Sequence, residues 1–389
     1  MAAVNVLGQD DRPRFFPIRN APDLGLEAPR PEYGVALRCN VRSLAGMQKE
    51  ALVVSSGSDT AWRLASDEGP YLAGHDEAPF PLAFMAAGMI ASYFTETVAL
   101  AAQRGVVIRD LRMTLDNYYT MEGSALRGTM VGGALAPELK VEVGAESDHA
   151  DLRSLYGDAA EASPVASLLR RENVSRFTLT SDSRALSLGR VIALDIDTPA
   201  DPAPLFGEID VDESGAAGQL VTKTATAAAH AGEGGAGSSL RAEQKRTLHV
   251  QATCTAQPNG IRDIQVNLFK PTGSSFHFVS DETNQRAPDA LTFISAGIGF
   301  CFMTQLGRYA AITKKQLSGY RIIQDTRFSA GASGGTGQPG TAEPVQTHVY
   351  LDTPEDDEFA RTLVDMGEQT CFLHALCRTA ALKLRLRVP

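Results

Sequence analysis

The chain has 389 residues, 43% apolar and 21% charged, a composition that suits a soluble globular protein long enough for two domains. A formal charge of −10 with no cluster of Lys and Arg argues against a nucleic-acid partner, and no run has the layout of a secretory signal. The five cysteines, Cys39, Cys254, Cys301, Cys371 and Cys377, are few, odd in number and without metal-site spacing. The expectation is therefore a reducing, cytoplasmic setting with no metal, no cofactor and no disulfide framework.

Residues 1–32 are rich in Pro, Asp and Arg and read as an arm laid on the surface. From 33 to 66, short alternating runs separated by a turn at Gly46 predict antiparallel strands joined by hairpins. Residues 81–104 predict a buried helix that Gly105 stops. Strands are expected at 106–116, 125–132 and 139–143, short helices at 148–156 and 163–171, and a closing strand at 176–180. From 182 to 239 the texture changes. Strand-like runs at 190–196 and 206–211 give way to an Ala/Gly/Ser-rich connector at 225–239.

From Arg246 the first pattern returns, with strands at 248–255, 264–269 and 275–279, a turn signal at Pro258-Asn259-Gly260, and Ser280-Asp281-Glu282 repeating Ser66-Asp67-Glu68. The stretch from Pro288 to Arg308 follows. Between Leu291 and Met303 it is apolar or small on every face, which predicts a helix buried all round. That apolar run is shorter than the ~20 residues a bilayer crossing needs, so no membrane is expected. It also copies the first long helix about 210 residues earlier. A strand at 320–328, a loop at 330–344, a strand at 345–351, helices at 355–366 and 371–381 and a last strand at 382–388 complete the pattern.

The repetition predicts a duplicated α+β fold: an arm at 1–32, a first domain at 33–182, a linker at 183–240 and a second domain at 241–389. Antiparallel sheets would surround long buried helices. The two domains would pair about a pseudo-twofold axis, making within one chain the contact a homodimer makes between two.

Four features of the second half belong together: the hairpin Ala252-Thr-Cys-Thr-Ala-Gln-Pro-Asn-Gly-Ile-Arg262-Asp263, the Pro288-Asp289 pair that opens the long helix, Cys301 inside that helix, and Thr370-Cys371 before a later short helix. This half resembles the OsmC and Ohr family of thiol-dependent hydroperoxide reductases. The resemblance implies an intertwined α+β dimer whose interface pocket holds Cys301 as reactive cysteine, Cys371 as second cysteine and Arg262 as the hairpin arginine. Phe372 stands where proline is usual. Pairing the halves by Gly46 with Gly260, Pro79 with Pro288 and the later helices end to end sets Gln48 opposite Arg262, Ser92 opposite Cys301 and Ser163 opposite Cys371, so the first half reads as a degenerate copy.

The implied chemistry is thiolate attack on a peroxide oxygen, followed by closure of the sulfenic acid to a disulfide. Cys301 would attack, Cys371 would resolve, Arg262 would favour the thiolate and Asp289 would orient the arginine. Phe300, His374 and Glu282 are the residues expected at the substrate. The expected partners are an apolar small-molecule substrate and a dithiol reductant, with further oligomerisation left open. Each residue also has a plain reading: core packing for the cysteines, a solvated turn for Arg262, a packed or capping His374, and loop acids for Glu68 and Glu282. Two other functions remain open on the same fold. One is a non-redox hydrolase using Cys371 or His374 with nearby acids, and the other is a module that binds a small molecule without turnover.

Overall fold

The computed structural model describes residues 4–18, 20–145, 149–170, 172–209, 220–226, 244–331, 338–379 and 385–387. The connector expected at 225–239 and the ends of the last helix and strand expected at 371–388 lie largely outside the described residues.

The first half runs α1 (Val6–Gln9), β1 (Phe16–Ile18), β2 (Val35–Ser43), β3 (Lys49–Ser55), β4 (Ala61–Ser66), α2 (Pro81–Arg104), β5 (Ile108–Gly123), β6 (Val131–Ala134), β7 (Glu138–Ala145), α3 (His149–Ala162), α4 (Pro164–Arg170) and β8 (Arg176–Ser181). Short strands β9 (Arg184–Leu186), β10 (Ile192–Ala193) and β11 (Val221–Ala225) follow. The second half runs β12 (Gln244–Ala256), β13 (Arg262–Lys270), β14 (Ser275–Ser280), α5 (Ala290–Thr313), β15 (Gly319–Ser329), β16 (Thr341–Ala342), β17 (Gln346–Asp352), α6 (Asp357–Thr370), α7 (Phe372–Arg378) and β18 (Arg385–Arg387).

This is the expected α+β class, with two mixed sheets around two long central helices. The sheets do not follow the halves of the chain. One has the order β1-β4-β3-β2-β15-β17-β8-β10 and the other β11-β14-β13-β12-β5-β7-β18. Each thus takes three hairpin strands and a closing strand from one half and two intervening strands from the other. The closing strand is parallel to its neighbour in both sheets. The architecture is consistent with the two OsmC-like units that the resemblance implies.

Each central helix runs 24 residues and is buried on nearly all sides. Pro81 at the first turn and Gly105 at φ 65° bound α2, whereas Asp289 caps α5 by accepting the Thr292 amide at 2.7 Å. Both helices are longer than the apolar run read from sequence and have the length and composition to cross a bilayer. Their apolar windows are 83% buried inside the protein, so burial rather than shortness marks them as core helices. They cross where each offers a glycine. A Cβ on Gly88 would lie 2.6 Å from the Ala290 carbonyl oxygen, and one on Gly297 would lie 2.9 Å from the Met85 nitrogen.

The N-terminal arm is more than a surface tail. Phe16–Ile18 pairs with β4, and Phe16, Ile18, Leu26, Leu52, Phe206 and Ile209 form a second, smaller core. The strands expected at 125–132 and 190–196 shrink to Val131–Ala134 and Ile192–Ala193, because turns occupy the residues before them.

Candidate active site

Cys301 lies midway along α5, and its buried thiol has the Cys371 thiol and the Leu373 amide near enough to act on its charge. Cys371 is the residue that caps α7, and its sulfur accepts the His374 amide at 3.5 Å. The two sulfurs expected to react are therefore neighbours, and both are free thiols. Burial pushes the Cys301 thiol well above its ordinary value, and the neighbouring Cys371 pushes it further.

Cys301 opens on a cavity of about 30 Å³ that Glu68, Tyr71, Arg246, Thr304, Arg308 and Phe372 help to line. That is room for a group about the size of one or two water molecules. Glu68 is 5% exposed and accepts hydrogen bonds from the Tyr71 hydroxyl at 2.7 Å and from Thr304 Oγ1 at 3.3 Å. Burial raises its pKa, while Lys49 pulls it back. Arg308 is buried too; desolvation and the neighbouring Arg246 bring it down to about 9.

Lys49 is a further cation near the thiols, besides the Arg246 and Arg308 that line the cavity. It is fully buried, its pKa is lowered by desolvation, and the charges that oppose this are Glu68, Asp67 and Cys301. Lys49 begins β3 and pairs with Ser66, as Arg262 begins β13 and pairs with Ser280. Ser66 and Ser280 in turn donate 2.9 Å bonds to the carbonyls of Pro79 and Pro288, each two residues before its central helix. Lys49, not Gln48, is thus the counterpart of Arg262. Gln48 instead ties down the arm, accepting the Leu7 amide at 3.0 Å and donating to Asn5 at 2.7 Å.

Because the strands are exchanged, β3 packs on α5 and β13 packs on α2. Arg262 therefore does not attend Cys301, and that expectation is corrected. Its guanidinium lies over the Phe94 ring at 4.9 Å and reaches Glu282 at 3.4 Å, next to the half where Ser92 Oγ and Ser163 Oγ meet at 2.8 Å. Glu96 is buried in that half as well, raised to about 7 by burial and by Glu282. The serine pair repeats the cysteine pair, as the pairing of halves expects.

Three further placements differ from expectation. Asp289 is spent on capping α5 and does not orient an arginine. Phe300 packs on Phe84 at 5.2 Å between centroids in the core, and Glu282, its side chain 57% exposed, belongs to the Arg262 side. His374 is buried between Phe302 and Phe177 at 5.1 and 5.6 Å, and neither ring nitrogen has a hydrogen-bond partner among the described residues. Burial and Arg378 lower its pKa to about 3. Among the described residues no group of His, Cys, Asp and Glu is arranged to hold a metal ion.

No family model matches the chain, and no curated protein does. One solved structure it is similar to is an OsmC-like hydroperoxide resistance protein from Jannaschia sp. CCS1. The two are 23% identical over 32% of this chain and 83% of that one, with a TM-score of 0.19.

Two features of the folded hairpins mark Lys49 as that counterpart. The loops before β3 and β13 are equally long, five residues each, and each begins with an amide bonded to the carbonyl of its last residue, Leu44 to Gln48 and Gln257 to Ile261. Their glycines, however, stand third in one loop and fourth in the other, so aligning Gly46 with Gly260 shifts the register by one. Arg246 and Arg308 carried no local signal, since it takes the packed α5 and β12 to bring them together.

Proposed function

We propose that the chain is a thiol-dependent reductase of organic hydroperoxides that works through Cys301 and Cys371. The observation that supports this most is the closeness of these two thiols, with Cys301 and Glu68 lining one small cavity and Lys49 within electrostatic reach of both. Neighbouring thiols on α5 and at the cap of α7 are the arrangement from which a disulfide can close.

In the proposed reaction the sulfur of Cys301 attacks one peroxide oxygen, the O–O bond breaks, and an alkoxide leaves. The hydrogen carried by the Cys301 thiol ends on that alkoxide, so the products are a sulfenic acid and an alcohol. Glu68 is suited to take this proton because its burial raises its affinity for one, and the Lys49 ammonium is suited to give one to the alkoxide. Cys371 then attacks the sulfenic sulfur, forming the disulfide and releasing water, and an external dithiol restores both thiols. We further propose that the internal pairing of the two halves takes the place of a homodimer, with one thiol site kept and its twin reduced to serines.

Among the described residues His374 has no polar partner of the kind a general base for hydrolysis uses, which favours the redox reading over the hydrolytic one. The test is consumption of tert-butyl hydroperoxide with dithiothreitol as reductant. Turnover by the intact chain that disappears in Cys301→Ser supports the reading. Full activity in Cys301→Ser would make Cys301 a packing residue and remove the proposal.

A further inference from the structure

Tyr119, on β5, is completely buried, and its hydroxyl has no hydrogen-bond partner among the described residues. Its ring packs 5.8 Å from Phe372, the residue that follows Cys371 and lines the Cys301 cavity. The hydroxyl feels the thiols of Cys301, Cys377 and Cys371 electrostatically, yet makes a hydrogen bond to none of them. Burial and these thiols raise its pKa, so it stays a neutral O–H donor.

The other half supplies the comparison. Tyr119 pairs with Ala134 of β6, and Phe328 of β15 pairs with Ala342 of β16. Beside these pairs, Gly132 and Gly340 press on the equivalent junctions. A Cβ on Gly132 would lie 2.5 Å from the Thr370 carbonyl oxygen, just before Cys371, and one on Gly340 would lie 2.4 Å from the Ala162 carbonyl oxygen, just before Ser163. Tyr119 and Phe328 therefore hold the same place. The half with two sulfurs carries a phenol, and the half with two hydroxyls carries a phenyl ring. The fold accepts either ring, so packing alone does not call for the oxygen.

We propose that the Tyr119 hydroxyl is the hydrogen-bond donor to the oxygen that Cys301 acquires from the peroxide. An oxygen added to the Cys301 sulfur on the Tyr119 side would give the buried donor the partner it lacks in the reduced protein. The donor holds negative charge as it builds on the transferred oxygen and then keeps the sulfenic acid in place until Cys371 attacks. Tyr119 is neither oxidised nor deprotonated in the cycle.

This inference rests on the peroxidase reading, and the test separates the two. Cys371→Ser retains a side chain that caps α7 and leaves the sulfenic acid unresolved. Treated with one equivalent of cumene hydroperoxide, this variant is expected to gain one oxygen on Cys301 that dimedone captures. Adding Tyr119→Phe is expected to slow that capture at least about tenfold and to drive Cys301 on to the sulfinic acid, with the melting temperature of the reduced protein unchanged or higher. Equal rates and equal persistence of the sulfenic acid with and without Tyr119→Phe would overturn the role of Tyr119 and leave the peroxidase reading standing. Failure of Cys371→Ser itself to gain oxygen would overturn both.

Discussion

Lys49 and Arg262 occupy the same rung of the two hairpins, Lys49 across from Ser66 and Arg262 across from Ser280, but only Lys49 neighbours the thiols. Lys49→Met is expected to reduce kcat/KM for a hydroperoxide on the order of 10²-fold. Arg262→Met, compared below the melting temperature of both variants, is expected to leave it unchanged, and Lys49→Arg is expected to recover part of the loss. Steady-state kinetics of the three variants check this. A larger loss in Arg262→Met than in Lys49→Met would reverse the assignment.

The serine pair offers a test of equivalence between the halves. With Ser92 Oγ and Ser163 Oγ 2.8 Å apart, the double variant Ser92→Cys, Ser163→Cys is expected to form a disulfide when treated with diamide. Peptide mapping by mass spectrometry reads the loss of two hydrogens across those peptides. Two free thiols after oxidation would mean that the sites are not interchangeable.

Helix crossing at glycine sets a stability prediction. Gly88→Ala and Gly297→Ala each force a methyl group against backbone of the opposite helix, and each is expected to cost roughly 1–3 kcal/mol. Gly157, on α3, has nothing within 4 Å of an added Cβ, so Gly157→Ala is expected to be neutral or to stabilise by up to about 1 kcal/mol. Denaturant melts of the three variants decide it.

His374 gives a pH dependence with a definite sign. Its folded pKa of about 3 lies below the ~6.5 of a histidine in an unfolded chain, so the unfolded state takes up the proton first as the pH falls. Its contribution to stability is complete above that unfolded value and is lost as the pH falls toward the folded one. Between pH 7 and pH 5 the melting temperature of the intact chain is expected to fall more than that of His374→Phe. Parallel pH profiles would show that His374 is not buried neutral.

What could be read locally was the end of an element that carries its own stop signal. Helix α2 was legible to the residue, because Pro81 and Gly105 mark its two ends chemically. Strand β5 was underread at 106–116, since its continuation to Gly123 depends on pairing with β12, which lies more than a hundred residues away in the chain. The two cysteines and the two serines that repeat them were visible by counting along matching helices. The partner of Cys301 was not, because β3 and β13 are exchanged between sheets and no pattern within one hairpin states which helix it will cover. Tyr119 reads in sequence as one of two adjacent strand tyrosines, and only burial without a partner sets it apart from Tyr118, which stacks on His249 at 4.6 Å on the outer face of the sheet.

The measurement that bears most directly on the account is peptide mapping of the intact chain after one equivalent of organic hydroperoxide, with thiols blocked at the moment of quenching. A Cys301 to Cys371 disulfide formed in proportion to the peroxide consumed, with Cys39, Cys254 and Cys377 still reduced, is the predicted result. Cys301 and Cys371 both recovered as free thiols from peroxide-treated protein would contradict it.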